Sequence, residues 1–183
     1  MDVLDLFERI RALNVEALSV AIASAGPAHV EPALRSGDGA LAVEGRWHMP
    51  LRLDLLRKGR ESEHTDPVSP TKTLSFGRFT TTLGDVRVDV GPFGWDWCEV
   101  DTDLTPDAAG PALRQWLIEW FDPDDENVCG PDGLYGVVHF ASDPEPSGLG
   151  SRFVVDLGSA PVACLGALFS RLSSAGMRSS RIG

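Results

Sequence analysis

Residues 95–121, WDWCEVDTDLTPDAAGPALRQWLIEWF, contain the change of period that decides the fold class. Over 95–101 neighbours alternate as in a strand. Asp96, Cys98 and Val100 fall on one face, and Trp95, Trp97, Glu99 and Asp101 on the other. Thr105 is then placed to cap a helix, with Pro106 at its first position. Ala109, Ala112, Leu113, Trp116, Leu117, Trp120 and Phe121 recur at helical spacing and make one apolar stripe, closed by Asp122 and Pro123.

Downstream, an acidic loop at 122–132 leads to apolar strands at 134–141 and 152–157, separated by a turn rich in Pro, Gly and Ser. Ser159 opens a second helix with the stripe Val162, Leu165, Leu168, Phe169 and Leu172, and Gly176 ends it before a short strand at 178–182. Residues 95–182 thus read β-α-β-β-α-β, the order of a ferredoxin-like split βαβ unit. Upstream, Leu4, Phe7, Ile10, Leu13, Ala17 and Ala21 define an amphipathic helix over 2–24, stopped by Gly26 and Pro27. Short strands follow at 29–34 and 41–47. Leu51, Leu53 and Leu55 alternate with Arg52, Asp54 and Leu56, a half-buried strand following Pro50. A polar loop at 58–72 contains His64, and a hairpin turns at Gly84 and Asp85. The expected architecture is α+β in a single domain, 1–183. It comprises an N-terminal amphipathic helix (1–26), an antiparallel β meander (28–101) and a βαββαβ half (95–183), forming a two-layer α/β sandwich.

At 183 residues and 43% hydrophobic, the chain can build a core without disulfides or metal. Its three cysteines are odd in number and far apart, which is no disulfide framework. The first 24 residues carry Asp2, Asp5, Glu8, Arg9 and Arg11, so no signal-peptide pattern is present. The longest nearly apolar run, 160–169, is too short to span a bilayer. The expectation is a cytoplasmic protein with no membrane partner.

The net charge of −11 is unevenly spread. Residues 88–145 hold 14 Asp and Glu against one basic residue, Arg114, while residues 46–87 are net +3. Such a segment is unsuited to nucleic acid, because phosphate contacts need Lys and Arg. It suits a cationic partner.

Signatures of common chemistry are missing. The sequence has no G-x-S-x-G, no phosphate-binding G-x-x-x-x-G-K-[ST], no HExxH and no pair of CxxC motifs. Gly37-x-Gly39-x-x-Ala42 leads into a strand instead of opening a helix, so it is no dinucleotide fingerprint. No cofactor is expected. His139 with Asp143 is a candidate general base, and Cys98 a candidate nucleophile beside it. The plainer readings are a hydrogen-bonded histidine on a strand and a small core filler. Asp122, Asp124 and Glu126 share the spacing of the first ligands of a calcium loop. However, Asn127 stands where an EF-hand needs Gly and Gly133 where it needs Glu, so that motif is excluded.

The functional expectation is an acidic protein-binding module: an immunity-type inhibitor, or another docking partner, of a basic protein such as a nuclease. Its contact residues would be Trp95, Trp97, Glu99, Asp101, Asp103, Asp122, Asp124, Asp125, Glu126 and Asp132, with aromatic anchors set among carboxylates; the plainer reading of Trp95 and Trp97 is that they cover the helix 106–121 from beneath. The alternatives are a small hydrolase-like enzyme around His139, or a structural or assembly subunit that self-associates through apolar surface.

Overall fold

Asp2 starts the first helix, its Oδ1 accepting from the Leu4 N–H at 3.3 Å. The helix, α1, runs Val3–Ala25 and stops where Gly26 takes φ 70°. The computed structural model describes residues 2–43, 48–57 and 67–183. His64, most of the strand expected at 41–47 and much of the polar loop expected at 58–72 lie outside the described residues.

After α1 come β1 (Ala28–Val30), β2 (Leu55–Arg57), β3 (Phe79–Leu83), β4 (Val86–Val90), β5 (Cys98–Thr102) and α2 (Pro106–Phe121). They are followed by β6 (Phe140–Ala141), β7 (Glu145–Pro146), β8 (Ser151–Asp156), α3 (Ala163–Ser174) and β9 (Ser179–Ile182). The main sheet runs β3-β4-β9-β5-β8-β6, with β7 also on β8. Strand β8 is antiparallel to both β5 and β6. β5 and β6 therefore run parallel with β8 between them, which is the split βαβ arrangement. The α+β class holds, with the N-terminal helix ahead of the sheet and an antiparallel pair β1–β2.

The strand order and the start of the last helix differ from expectation. A continuous meander over 28–101 would put β4 beside β5, but β9 slots between them, parallel to β4 and antiparallel to β5. Local alternation fixes which residues face the core. It does not fix which strand lies alongside, and Ser180 and Ile182 of β9 present a buried face of the same period. The last helix begins at Ala163, not at Ser159. The Ser159 hydroxyl instead accepts from the Gly136 and Val137 N–H groups at 2.9 and 3.3 Å.

One face of the sheet is apolar. Val86, Val88, Val90, Cys98, Val100, Phe153, Val155 and Ile182 are all buried on it. The stripes of α2 and α3 share their core, and the Trp116 indole N–H donates to the Cys164 carbonyl at 2.7 Å, tying the helices together. Burying each such large side chain stabilises the fold by about 1.5–3 kcal/mol. Helix α1 adds Leu6, Phe7 and Ile10, with Phe7 edge-on to Phe93 at 5.7 Å between ring centroids.

The opposite face is polar. Thr80, Asp89, Arg181, Asp101, Arg152 and Glu145 lie in register across six strands, with opposite charges paired directly from Asp89 to Glu145. Such cross-strand pairs stabilise a sheet face modestly.

Arg52 reverses the polarity expected of its strand, for it is 4% exposed. Its Nε donates to the Phe121 carbonyl at 2.6 Å and its Nη1 to the Glu31 carbonyl at 2.7 Å. Its Nη2 donates to the Asp122 carbonyl and, at 2.7 Å, to Asp125 Oδ1. The guanidinium also sits 4.8 Å from the Phe121 ring centroid. Arg52→Met leaves these three carbonyls without their arginine donor and Asp125 with Arg35 alone. With buried carbonyls left unsatisfied, it is predicted to cost about 3–5 kcal/mol in urea unfolding, with faster amide exchange over 122–126. A loss below about 0.5 kcal/mol would show that this cage is not structural.

Candidate functional site

The strand expected from Trp95 starts three residues later, at Cys98, because 94–97 form a turn closed by the Trp97 N–H on the Gly94 carbonyl at 3.3 Å. The alternation expected back to residue 95 therefore fails. Trp95 is fully buried in the core, whereas Trp97 is 60% exposed. The two tryptophans do not form one surface patch.

Trp97 borders a groove of about 460 Å³ lined also by Glu99, Asp143, Glu145 and Arg152. Glu99 and Asp143 are each about one-third exposed and Glu145 is exposed. Arg152 closes one side, its Nε 3.2 Å from Asp101 Oδ1 and 3.4 Å from Glu99 Oε1. Those two acids raise its pKa above the ordinary arginine value, Asp101 contributing most. Asp101 itself is 6% exposed, so its carboxylate is spent on Arg152. Asp143 pairs with the exposed His48, Oδ2 to Nδ1 at 2.8 Å.

Most acids of the expected contact set hold backbone or arginine. Asp103 accepts from the Arg178 and Ser179 N–H groups, anchoring the start of β9. Asp122 takes φ 55° at the end of α2, and its carboxylate accepts from the Glu126 and Asn127 N–H groups. Asp132 accepts from the Leu134 N–H. Burial would raise the pKa of Asp125, but hydrogen bonds from Arg35 and Arg52 outweigh it and hold the carboxyl below its ordinary value. Asp124 and Glu126 are exposed. With its carboxylate turned to the chain, Asp122 does not converge with them as a calcium loop requires.

The chemistry-bearing cluster lies elsewhere. His139, 1% exposed, sits just before β6, and its N–H donates to the Asp156 carbonyl of β8 at 3.0 Å. Its Nε2 lies 2.8 Å from Glu31 Oε1, and its Nδ1 lies 3.0 Å from Asp54 Oδ1 and 3.8 Å from Asp156 Oδ2. The Nδ1 contact with Asp54 is an ion pair and not a directed hydrogen bond. Gly158 makes room for the ring: a Cβ there would stand 2.4 Å from His139 Cδ2.

Burial disfavours the imidazolium, but Asp156, Asp54 and Glu31 outweigh it and raise the His139 pKa from 6.5 to about 10. Burial raises Asp156 to about 6, with Asp54 and Asp96 adding to the rise and His139 opposing it. Burial would also raise Glu31, but the hydrogen bond and charge of His139 outweigh it, so its pKa falls below the ordinary value. Among the described residues, Asp54, His139 and Asp156 are the group able to hold a metal, with donor atoms all within 4.8 Å of one another.

Asp143 is thus paired with His48, while His139 faces Glu31, Asp54 and Asp156. Cys98 is fully buried and its thiol is pushed well above the ordinary range, chiefly by burial, so it is no activated nucleophile. All three cysteines are free. The sequence reading missed Glu31, Asp54 and Asp156. Glu31 and His139 are 108 positions apart, and no local pattern joins them. No protein family, curated protein or solved structure significantly matches the chain.

His139 makes stability pH-dependent. Its folded pKa is raised, so its stabilisation is complete below the unfolded value of 6.5 and is lost as the pH rises through about 10. In a chelator-containing buffer the urea midpoint should therefore fall between pH 6.5 and 8.5, and His139→Gln should flatten the fall. A midpoint that rises over this range would refute the imidazolium assignment.

Proposed function

We propose that the chain is an acidic protein-binding module that docks on a basic protein through the groove beside Trp97. The supporting observation is Trp97 itself, a 60% exposed indole at the rim of a groove lined by Glu99, Asp143 and Glu145. A lysine or arginine of the partner can lie over the indole face while the carboxylates meet its charge. Exposed aromatic anchors supply binding energy, and surrounding charge steers encounter and sets the salt dependence. In the immunity-type version the carboxylates stand where a cationic nuclease would hold phosphates. The hydrolase alternative has less support, since the His139 ring is buried and Asp143 is paired elsewhere.

The test uses the folded chain as bait in native lysate at two salt concentrations, beside Trp97→Ala and the double variant Glu99→Gln, Glu145→Gln. A basic partner is expected to bind at low salt and elute at high salt. Trp97→Ala should bind it at least about tenfold more weakly, and the double variant should lose much of the salt dependence. Equal binding by wild type and Trp97→Ala would remove the groove as the contact surface.

A further inference from the structure

The environment of His139 resembles a prepared ligand sphere more closely than a structural histidine. Glu31 Oε1 lies 2.8 Å from Nε2, and its other oxygen accepts from the Tyr135 N–H at 2.7 Å. Glu31 is therefore a fixed acceptor that keeps a proton on Nε2. In the neutral ring this leaves the Nδ1 lone pair facing Asp54 and Asp156. Metal-binding histidines are commonly oriented in this way, with a carboxylate on the far ring nitrogen.

The two aspartates are pinned in matching fashion. Asp54 Oδ2 accepts from the Val68 N–H at 2.7 Å, while its Oδ1 points to Nδ1. Asp156 Oδ1 accepts from the Gly158 N–H at 2.9 Å, while its Oδ2 lies on the Nδ1 side. Each carboxylate thus has one oxygen held by the backbone and the other directed into the cluster. Nδ1 is buried without a directed hydrogen bond, an uncommon state for a ring nitrogen. Its separations from the two oxygens, 3.0 and 3.8 Å, bracket the edge of about 3.3 Å in a tetrahedron of ~2.0 Å bonds.

We propose that Asp54 Oδ1, Asp156 Oδ2 and His139 Nδ1 form a binding site for a first-row divalent cation, with Zn²⁺ the best match. One nitrogen and two carboxylate oxygens suit Zn²⁺ or Mn²⁺ better than the all-oxygen preference of Mg²⁺ or Ca²⁺. Three protein ligands leave a fourth position for water. The side chains of Asp54 and Asp156 are 15% and 25% exposed, so the cation can enter from their side while the histidine stays covered. The cation displaces the proton from Nδ1 and meets the negative charge that Glu31, Asp54 and Asp156 concentrate there.

The experiment titrates the full chain, stripped with chelator, with Zn²⁺ by calorimetry in two buffers of different ionisation enthalpy. Metal content after gel filtration and the melting temperature are measured in parallel. Tight binding of one equivalent is expected, with proton release and a raised melting temperature. Asp54→Asn and Asp156→Asn alter partly exposed side chains and keep the backbone hydrogen bonds, and each should weaken Zn²⁺ binding at least about tenfold. Cys129→Ser and Asp122→Asn, in the acidic loop, should leave Zn²⁺ affinity and stoichiometry unchanged. The proposal is overturned if no equivalent of Zn²⁺ binds at micromolar concentration, which would leave the proton as the only cation on Nδ1. It is overturned equally if binding survives both Asn variants or disappears with Cys129→Ser.

Discussion

A guanidinium buried in protein must have its N–H groups aimed at oxygens, and Arg52 meets that demand by drawing separate parts of the chain around itself. Its side chain gathers the carbonyls of Glu31, Phe121 and Asp122 together with the Asp125 carboxylate. Its own N–H donates to the His139 carbonyl at 2.9 Å. Glu31 then turns its carboxylate to His139 and to the Tyr135 N–H. The segment before the main sheet, the end of α2 and the approach to β6 are joined through these two buried residues. The apolar core alone, being non-directional, would not fix that docking.

This wiring changes the meaning of the charge count. The strongly acidic segment 88–145 reads as a broad surface for a cation, yet Asp101, Asp103, Asp122, Asp125 and Asp132 each serve an arginine or a backbone N–H. On the open sheet face, Asp89 and Asp101 stand opposite Arg181, and Asp101 and Glu145 opposite Arg152. The acidity able to act on a partner is therefore more local than composition suggests. Around the groove beside Trp97, Glu145 is exposed, while Glu99 and Asp143 keep about one-third exposure next to Arg152 and His48.

What the sequence revealed and what it hid follow from the range of each interaction. The stripes of α1 and α2, the hairpin at Gly84 and the β-α-β-β-α-β order rest on neighbours within a few residues, so periodicity finds them. The place of β9 depends on pairing with Val88 and Val100, some 80–90 residues away, which no window contains. Alternation places Trp95 on the Trp97 face, but residues 94–97 form a turn, where period two no longer applies. Arg52, set among leucines, has the pattern of the polar face of a half-buried strand. Its burial depends on carbonyls contributed by distant loops. The partners of His139 are equally remote, and Asp143, close in sequence, went to His48.

The groove and the His139 cluster are distinct sites on a common strand. Arg152, Val154 and Asp156 share the open face of β8, so Val154 lines the groove and Asp156, two residues on, joins the cluster. Two residues of strand span about 6.6–6.8 Å, inside the screening length of about 8 Å at physiological ionic strength. A divalent cation held by Asp54, His139 and Asp156 would thus add positive charge within electrostatic reach of Glu99 and the groove. It would lower the attraction of that surface for a basic partner without touching a contact residue. A partner's lysine or arginine in the groove would in turn disfavour the cation by the same free energy, because linkage between two binding equilibria is reciprocal.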